Sequence, residues 1–324
     1  MNVVFTVFPE NKDRSIETEL SCLPADVKVS RAVYDTEHLE DYYEKLSEAD
    51  AVITDFAPID RAVIDRMTHC KIIALETTGY NFVDVAYAKE KQIAVSYISE
   101  YCTQEVADHA MTLILALERR LPFLHQQIEH RGAWEMESIK SLGVRRIEGQ
   151  VLGILGLGKI GRAVAKRAKA FGLRVIAYDP YIARETGEEL GVKITELEEV
   201  LAESDIISIH MNLTKENTGF FNMELFRKLK KCPFIINVAR GGAIVEADLA
   251  RALDEHLVQG AGLDVLESEN PNLENHPLMH RDNVILTPHT AFYSDDSYQA
   301  SLRIAASNVR YFFEGKPEKI CSLL

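Results

Sequence analysis

Short apolar runs alternate with amphipathic helical patterns along nearly the whole chain, and this rhythm limits the fold more than any other feature. A strand followed by a helix that returns to a parallel neighbour builds a parallel sheet with helices on its faces. The first series places strands at Val3–Val7, Val27–Val33, Ala51–Thr54, Lys71–Leu75 and Ala94–Ser96. Next comes Thr103–Leu121, apolar at helical spacing and expected to stop just before Pro122. The second series places strands at Val151–Leu155, Arg174–Tyr178, Ile206–His210, Phe234–Val238, Gly260–Asp264 and Val284–Leu286. Helices are expected at Ile160–Phe171, Met223–Lys231 and Ala247–Glu255, so this part suits one doubly wound domain. A last helix, Ser294–Phe313, is expected to return to the first domain. A chain of 324 residues has room for two such cores.

The formal net charge of -14 argues against a nucleic-acid partner, which would call for a Lys/Arg-rich face. The five cysteines are scattered, never spaced as CxxC, and suit free thiols of a reducing compartment rather than a disulfide frame or zinc site. The chain opens into the strand-like Val3–Val7 with no basic segment before it, unlike a signal peptide. No apolar run approaches the roughly 18 residues that span a bilayer. The expectation is a cytoplasmic protein without a membrane partner.

Gly156-Leu157-Gly158-Lys159-Ile160-Gly161 matches GxGxxG, with an expected strand before it and an expected helix after it. In that setting Gly156 allows a tight turn, Gly158 admits a pyrophosphate to the backbone, and Gly161 lets helix pack on strand. Phosphates then meet the unpaired N–H groups of a helix N-terminus. Asp179 stands at the end of the next strand, where a carboxylate accepts from both ribose hydroxyls and repels a 2′-phosphate. No basic residue follows at once, so the expected cofactor is NAD rather than NADP.

Five further segments resemble motifs of the D-isomer specific 2-hydroxyacid dehydrogenase family, in the family's order. They are Thr78–Asp84 (TGYNFVD), Tyr101–His109 (YCTQEVADH), Ile236–Gly242 (INVARGG), Ala261–Glu269 (AGLDVLESE) and Leu286–Ala291 (LTPHTA). The resemblance implies an α/β protein: a flavodoxin-like substrate domain, residues 1–102 plus 292–324, with a Rossmann NAD-binding domain, residues 103–291, inserted into it. It also implies a homodimer joined through the cofactor domains. Lys159, Ile160, His210, Thr218, Val238, Ala239, Arg240, Asp264 and His289 would join the glycines and Asp179 around NAD. Thr78 and Gly79, through backbone N–H groups, with Tyr101, Arg240 and Phe292, would meet the substrate.

The catalytic trio implied is Arg240, Glu269 and His289, and the chemistry suits these side chains. Reduction of a 2-keto acid needs an anchor for the carboxylate and a proton for the forming alkoxide. Arg240 and His289 both follow expected strands, at the sheet edge where open α/β folds bind ligands. A guanidinium can hold carboxylate and keto oxygen together. An imidazole can give and take the proton. Glu269 would accept from its other nitrogen, fix the tautomer and support the imidazolium. Taken singly, the arginine reads as a structural ion pair, the histidine as a satisfied core residue, and Glu267-Ser268-Glu269 as a solvated acidic loop.

Two departures from the family pattern stand out: Asn270 where proline usually follows the glutamate, and Asn212 where proline is common near the cofactor. Glu267 is an alternative partner for the histidine. His276 and His280 flank Pro277, a poor spacing for ligands on one helix, so no metal is expected. For the substrate side chain, the aromatic Tyr101 and Phe292 favour an apolar or hydroxylated group of modest size. Glu76, just before Thr78, is expected to repel a phosphorylated one. Two other readings share the fold: an NAD(H)-sensing corepressor like the C-terminal-binding proteins, and a formate dehydrogenase, which would carry glutamine in place of Glu269.

Overall fold

A computed structural model of the chain describes residues 1–132, 134–136, 139 and 142–323. In chain order its elements begin with β1 (Asn2–Val7), α1 (Glu17–Leu20), β2 (Lys28–Val33), α2 (Leu39–Ser47), β3 (Ala51–Thr54), α3 (Arg61–Arg66), β4 (Ile72–Leu75), α4 (Val85–Glu90) and β5 (Ala94–Ser96). There follow α5 (Thr103–Glu118), α6 (Leu121–Arg131), β6 (Val151–Leu155), α7 (Lys159–Ala170), β7 (Arg174–Tyr178), α8 (Arg184–Leu190), β8 (Lys193–Ile194), α9 (Leu197–Glu203) and β9 (Ile206–Ile209). The chain ends with α10 (Met223–Phe226), β10 (Phe234–Asn237), α11 (Glu246–Asp254), β11 (Gly260–Leu263), β12 (Val284–Leu286) and α12 (Asp295–Phe313). These elements form two compact units, Met1–Tyr101 with Ser294–Leu324, and Cys102–Tyr293.

In the first unit the five strands are parallel, in the flavodoxin-like order β2-β1-β3-β4-β5. Strands β3 and β4 are buried at every residue, which is why they read as continuous apolar runs. One face packs Tyr42 and Leu46 of α2 and Val63 and Ile64 of α3 against Val4, Val52 and Ile73. The other packs Ala305, Ala306 and Val309 of α12 against Val3, Phe5, Ile53 and Ile72. Asp60 and Asp84 cap α3 and α4 by accepting from Val63 and Tyr87 N–H, and Ser294 with Ser297 forms a capping box on α12.

The second unit holds seven parallel strands in the order β12-β11-β10-β9-β6-β7-β8. This is the doubly wound Rossmann arrangement with one strand added at the β12 edge, and its order reverses between β6 and β9. Helices α5 and α7 cover one face, while α9, α10 and α11 cover the other. Gly262 brings α5 close: a Cβ there would lie 3.0 Å from Leu113 Cβ.

Three elements differ from the sequence expectation. The long helix ends at Glu118, Arg120 turns left-handed (φ 54°), and α6 starts at Leu121 with Pro122 in its first turn. Proline is tolerated there because a first-turn N–H has no helical partner. The helix expected over Met223–Lys231 covers only Met223–Phe226. The two-residue β8, the third strand of the Rossmann order, is too short to show a pattern. Among the described residues no helix is long and apolar enough to cross a membrane.

Candidate active site

A parallel sheet brings all its strand ends to one edge, and in the second unit that edge gathers most of the expected site. Gly156 follows β6, Asp179 follows β7, His210 follows β9, Val238 to Arg240 follow β10, Asp264 follows β11, and His289 lies just past β12. The glycine loop lies where the strand order reverses. Gly156 has φ +93°, and a Cβ there would meet Met211 N at 2.7 Å and His210 C at 2.9 Å. A Cβ on Gly161 would come within 2.2 Å of Gly156 O, so helix α7 packs directly on the turn. Gly158, by contrast, faces open space and is the N-cap of α7 without any side-chain cap. With no side chain at Gly158, the N-terminus of a twelve-residue helix opens directly onto the glycine loop, the place a pyrophosphate takes at such a turn. Lys159 and Ile160 are the first residues of that helix.

The Asp179 carboxylate accepts from Leu157 N–H at 2.7 Å and Tyr181 N–H at 2.9 Å. Both oxygens are therefore oriented, and each keeps a lone pair for a ribose hydroxyl. His210 pairs through Nε2 with Ser208 Oγ at 2.8 Å, while its Nδ1 is buried without a partner in the protein. Burial pushes this imidazole down to about 4, so it is neutral at physiological pH. An orphaned polar atom beside the phosphate loop, a glycine with open space and an uncapped helix all fit a dinucleotide. The loop carrying Asn212 is tied by Asn217, which donates to Asn212 O at 2.7 Å and accepts from Thr214 N–H at 2.6 Å. Thr218 is exposed on that loop and donates to Thr214 O.

Arg240 leaves β10 with an extended backbone and starts the 3-10 turn Gly241–Ala243. Its side chain is half-buried, its Nη1 donates to Ala239 O at 2.7 Å, and among the described residues no carboxylate pairs with it. Val238 is buried, and Ala239 N–H donates to Asn237 Oδ1 at 3.1 Å. His289 has φ +53° and pairs through Nδ1 with Glu269 Oε2 at 2.8 Å. Its Phe292 neighbour lies edge-on, ring centroids 6.4 Å apart. Glu267 faces elsewhere: it accepts from Glu246 N–H at 2.8 Å, and its own N–H donates to Glu246 Oε1. His276 is held by Glu246 as well, at 2.9 Å. Asp264, almost fully buried, accepts from Thr290 N–H at 2.9 Å, Ala291 N–H at 2.8 Å and the Thr287 hydroxyl at 2.5 Å. Its carboxylate thereby braces the turn that carries His289.

In the first unit Thr78 and Gly79 follow β4, Thr78 exposed, with the Thr77 hydroxyl donating to Gly79 O at 2.7 Å. Tyr101 is the last residue of that unit before the chain enters the second. Glu76 does not play the repelling role expected of it. It is buried, and Arg14 Nη2 donates to its two carboxylate oxygens at 2.8 and 3.0 Å. Arg14 Nη1 is taken by Glu19 at 2.7 Å, so the guanidinium offers no free cation either. Arg14 escaped the sequence reading because nothing in a loop arginine 62 residues upstream marks it as the partner of Glu76.

Residues 111–291 match the family described as D-isomer specific 2-hydroxyacid dehydrogenase, NAD binding domain. A hydroxypyruvate reductase of Blautia hydrogenotrophica is 36% identical over 294 residues, covering 89% of this chain and 90% of that one. A D-3-phosphoglycerate dehydrogenase of Methanocaldococcus jannaschii is 35% identical over 279 residues; the match covers 86% of this chain but only 52% of that longer protein. In three dimensions, a D-lactate dehydrogenase of Aquifex aeolicus, solved with NAD and lactic acid, superposes with a TM-score of 0.83. Its identity is 29%, over 98% of this chain and 97% of that one.

Proposed function

The chain belongs to the D-isomer specific 2-hydroxyacid dehydrogenase family and is an NAD-dependent oxidoreductase, and from that premise we propose that it interconverts a small 2-keto acid and its D-2-hydroxy acid with His289 as the acid–base group. The observation that carries this reading is the His289–Glu269 pair at the sheet edge that also holds the glycine loop and Arg240, which pairs with no carboxylate among the described residues. NADH, when bound, supplies the hydride that reaches C2 of the keto acid. Arg240 holds the substrate carboxylate and polarises the keto oxygen. His289 donates from Nδ1 to Glu269, which leaves Nε2 to hold the proton for the forming alkoxide. In the oxidative direction the same nitrogen accepts the hydroxyl proton. Glu269 keeps the ring in one tautomer and balances its charge while it is protonated.

The uncapped α7 terminus, Gly158 and Asp179 hold the pyrophosphate and ribose in this reading, with His210, Thr218, Val238, Ala239 and Asp264 beside them. Thr78, Gly79 and Tyr101 enter as substrate contacts through their motif resemblance alone. So do the roles of the two units, the first for substrate and the second for cofactor. Phe292, edge-on to His289, supports an uncharged substrate side chain. A homodimer through the cofactor unit is part of the proposal, supported by α6, an 11-residue helix with no buried residue. Five free cysteines support a cytoplasmic setting.

Steady-state reduction of glyoxylate, pyruvate, hydroxypyruvate, 2-ketoisocaproate and phenylpyruvate tests the reading directly. At least one should turn over with NADH, and His289→Ala should lower its kcat at least about a hundredfold. No turnover of any, or a better kcat/KM for 3-phosphohydroxypyruvate, would reject it.

A further inference from the structure

We propose that His109 is a positioning residue for this reaction, holding the turn of His289 in place through Thr287 and Asp264; the claim rests on the acid–base role assigned to His289 above. Helix α5 lies against β11 because Gly262 has no side chain, with Leu113 Cβ only 3.0 Å from where a Cβ would stand. His109 is one helical turn before Leu113 and so on the same helix face. That places it beyond the end of β11, where Asp264 and the turn after β12 begin. Its Nε2 lies 2.9 Å from Thr287 Oγ1 and 3.6 Å from Asp264 Oδ1.

The direction of the hydrogen bonds follows from counting protons. Thr287 has one hydroxyl proton, and Asp264 Oδ1, at 2.5 Å, accepts it. The Thr287 oxygen must then accept from His109, whose Nε2 carries a proton. His109 therefore fixes the rotation of the Thr287 hydroxyl, and that hydroxyl completes the donor set of a buried carboxylate. The other donors to Asp264 are Thr290 and Ala291 N–H, the two residues directly after His289. On the near side, His289 N–H donates to Asp264 O at 2.7 Å. The imidazole that must face the keto oxygen thus sits in a positive-φ turn held from both sides by one aspartate. Side chains other than glycine seldom adopt that backbone, so the turn keeps its form only while its surroundings impose it. A histidine that merely filled space on α5 would be replaceable by leucine. This one supplies a proton that leucine lacks.

The test uses the full chain with NADH and its best 2-keto acid, comparing His109→Leu, His109→Gln and Thr287→Val. We expect His109→Leu to lower kcat about tenfold, with KM and the NADH dissociation constant within about twofold, because a misaimed acid slows chemistry more than binding. His109→Gln retains a donor and should recover most of the rate. The double variant His109→Leu with Thr287→Val should be no slower than Thr287→Val alone, since both break one chain. Amide exchange over residues 287–293 should quicken in His109→Leu and return in His109→Gln. A His109→Leu enzyme with kcat within twofold of the parent overturns the proposal. So does a His109→Gln enzyme as slow as His109→Leu with unchanged exchange. Should the parent turn over no 2-keto acid, the proposed function fails while the exchange rates still decide the positioning claim. Should His109→Leu not fold, His109→Gln and Thr287→Val carry the same comparison.

Discussion

Glu76 lies buried at the end of β4, where burial pushes its carboxyl up to about 7 although Arg14 pulls the other way. An acid whose folded value exceeds its unfolded value stabilises the fold below the unfolded value, and that stability is lost as pH rises through the folded one. From an ordinary 4.5 to about 7, the charged form becomes a cost of up to about 3 kcal/mol by the top of the window. Glu76→Gln should remove this slope. The difference in unfolding free energy between parent and variant should therefore shift in the parent's favour as pH falls from 8 to 5. A difference independent of pH would count against the burial argument. His210, pushed down by burial, acts oppositely in both proteins and cancels in the difference. At the cofactor end, Asp179→Ala should weaken NADH binding roughly 10- to 100-fold, the loss of charged hydrogen bonds, while NADPH binding changes little. Faster turnover with NADPH than NADH in the parent would contradict the role given to Asp179. The legibility of single residues followed their spacing. Asp179 and the glycines share one strand-turn-helix-strand unit, and Arg240, Glu269 and His289 stand in contiguous motifs. The Arg14–Glu76 pair and the His109–Thr287 bond join residues far apart in the chain, and no local pattern marks such meetings.

Helix α6 shows what a periodicity reading misses. Pro122 signals a stop, and the chain does turn at Arg120, but the same proline is acceptable one residue into a new helix. The new helix has no buried residue, so no apolar stripe announces it. It and the segment after it instead carry Leu121, Ile128, Trp134 and Met136 in exposed positions. Scattered apolar residues are normal on a surface, but their concentration here supports the proposed dimer. Light scattering at micromolar concentration should give twice the chain mass for the parent. Leu121→Glu with Ile128→Glu should give a single chain mass with the secondary structure preserved. A double variant that remains dimeric would move the interface elsewhere. Strands β3, β4, β6, β9 and β10 were legible because each is buried at every residue and therefore apolar throughout.

At the scale of the molecule, the parallel architecture was readable from alternation alone, since a buried parallel strand and its covering helix each leave a distinct period. One consequence concerns the order of synthesis. The first unit has its five strands in hand by Ser96, yet the face lined by Val3, Phe5, Ile53 and Ile72 is covered by α12. On the ribosome that face must wait while the whole of Cys102–Tyr293 is made, roughly 10 to 40 seconds at bacterial and eukaryotic rates. The second unit has no such debt to later sequence, because its seven strands and their helices are continuous in the chain. The nascent protein should thus finish its inserted unit first and its leading unit last. A chain released at residue 293 should bind a hydrophobic dye and be cut quickly by protease within residues 1–101, while residues 102–293 persist as a resistant fragment. Equal resistance of both parts would show that the leading sheet closes without its final helix.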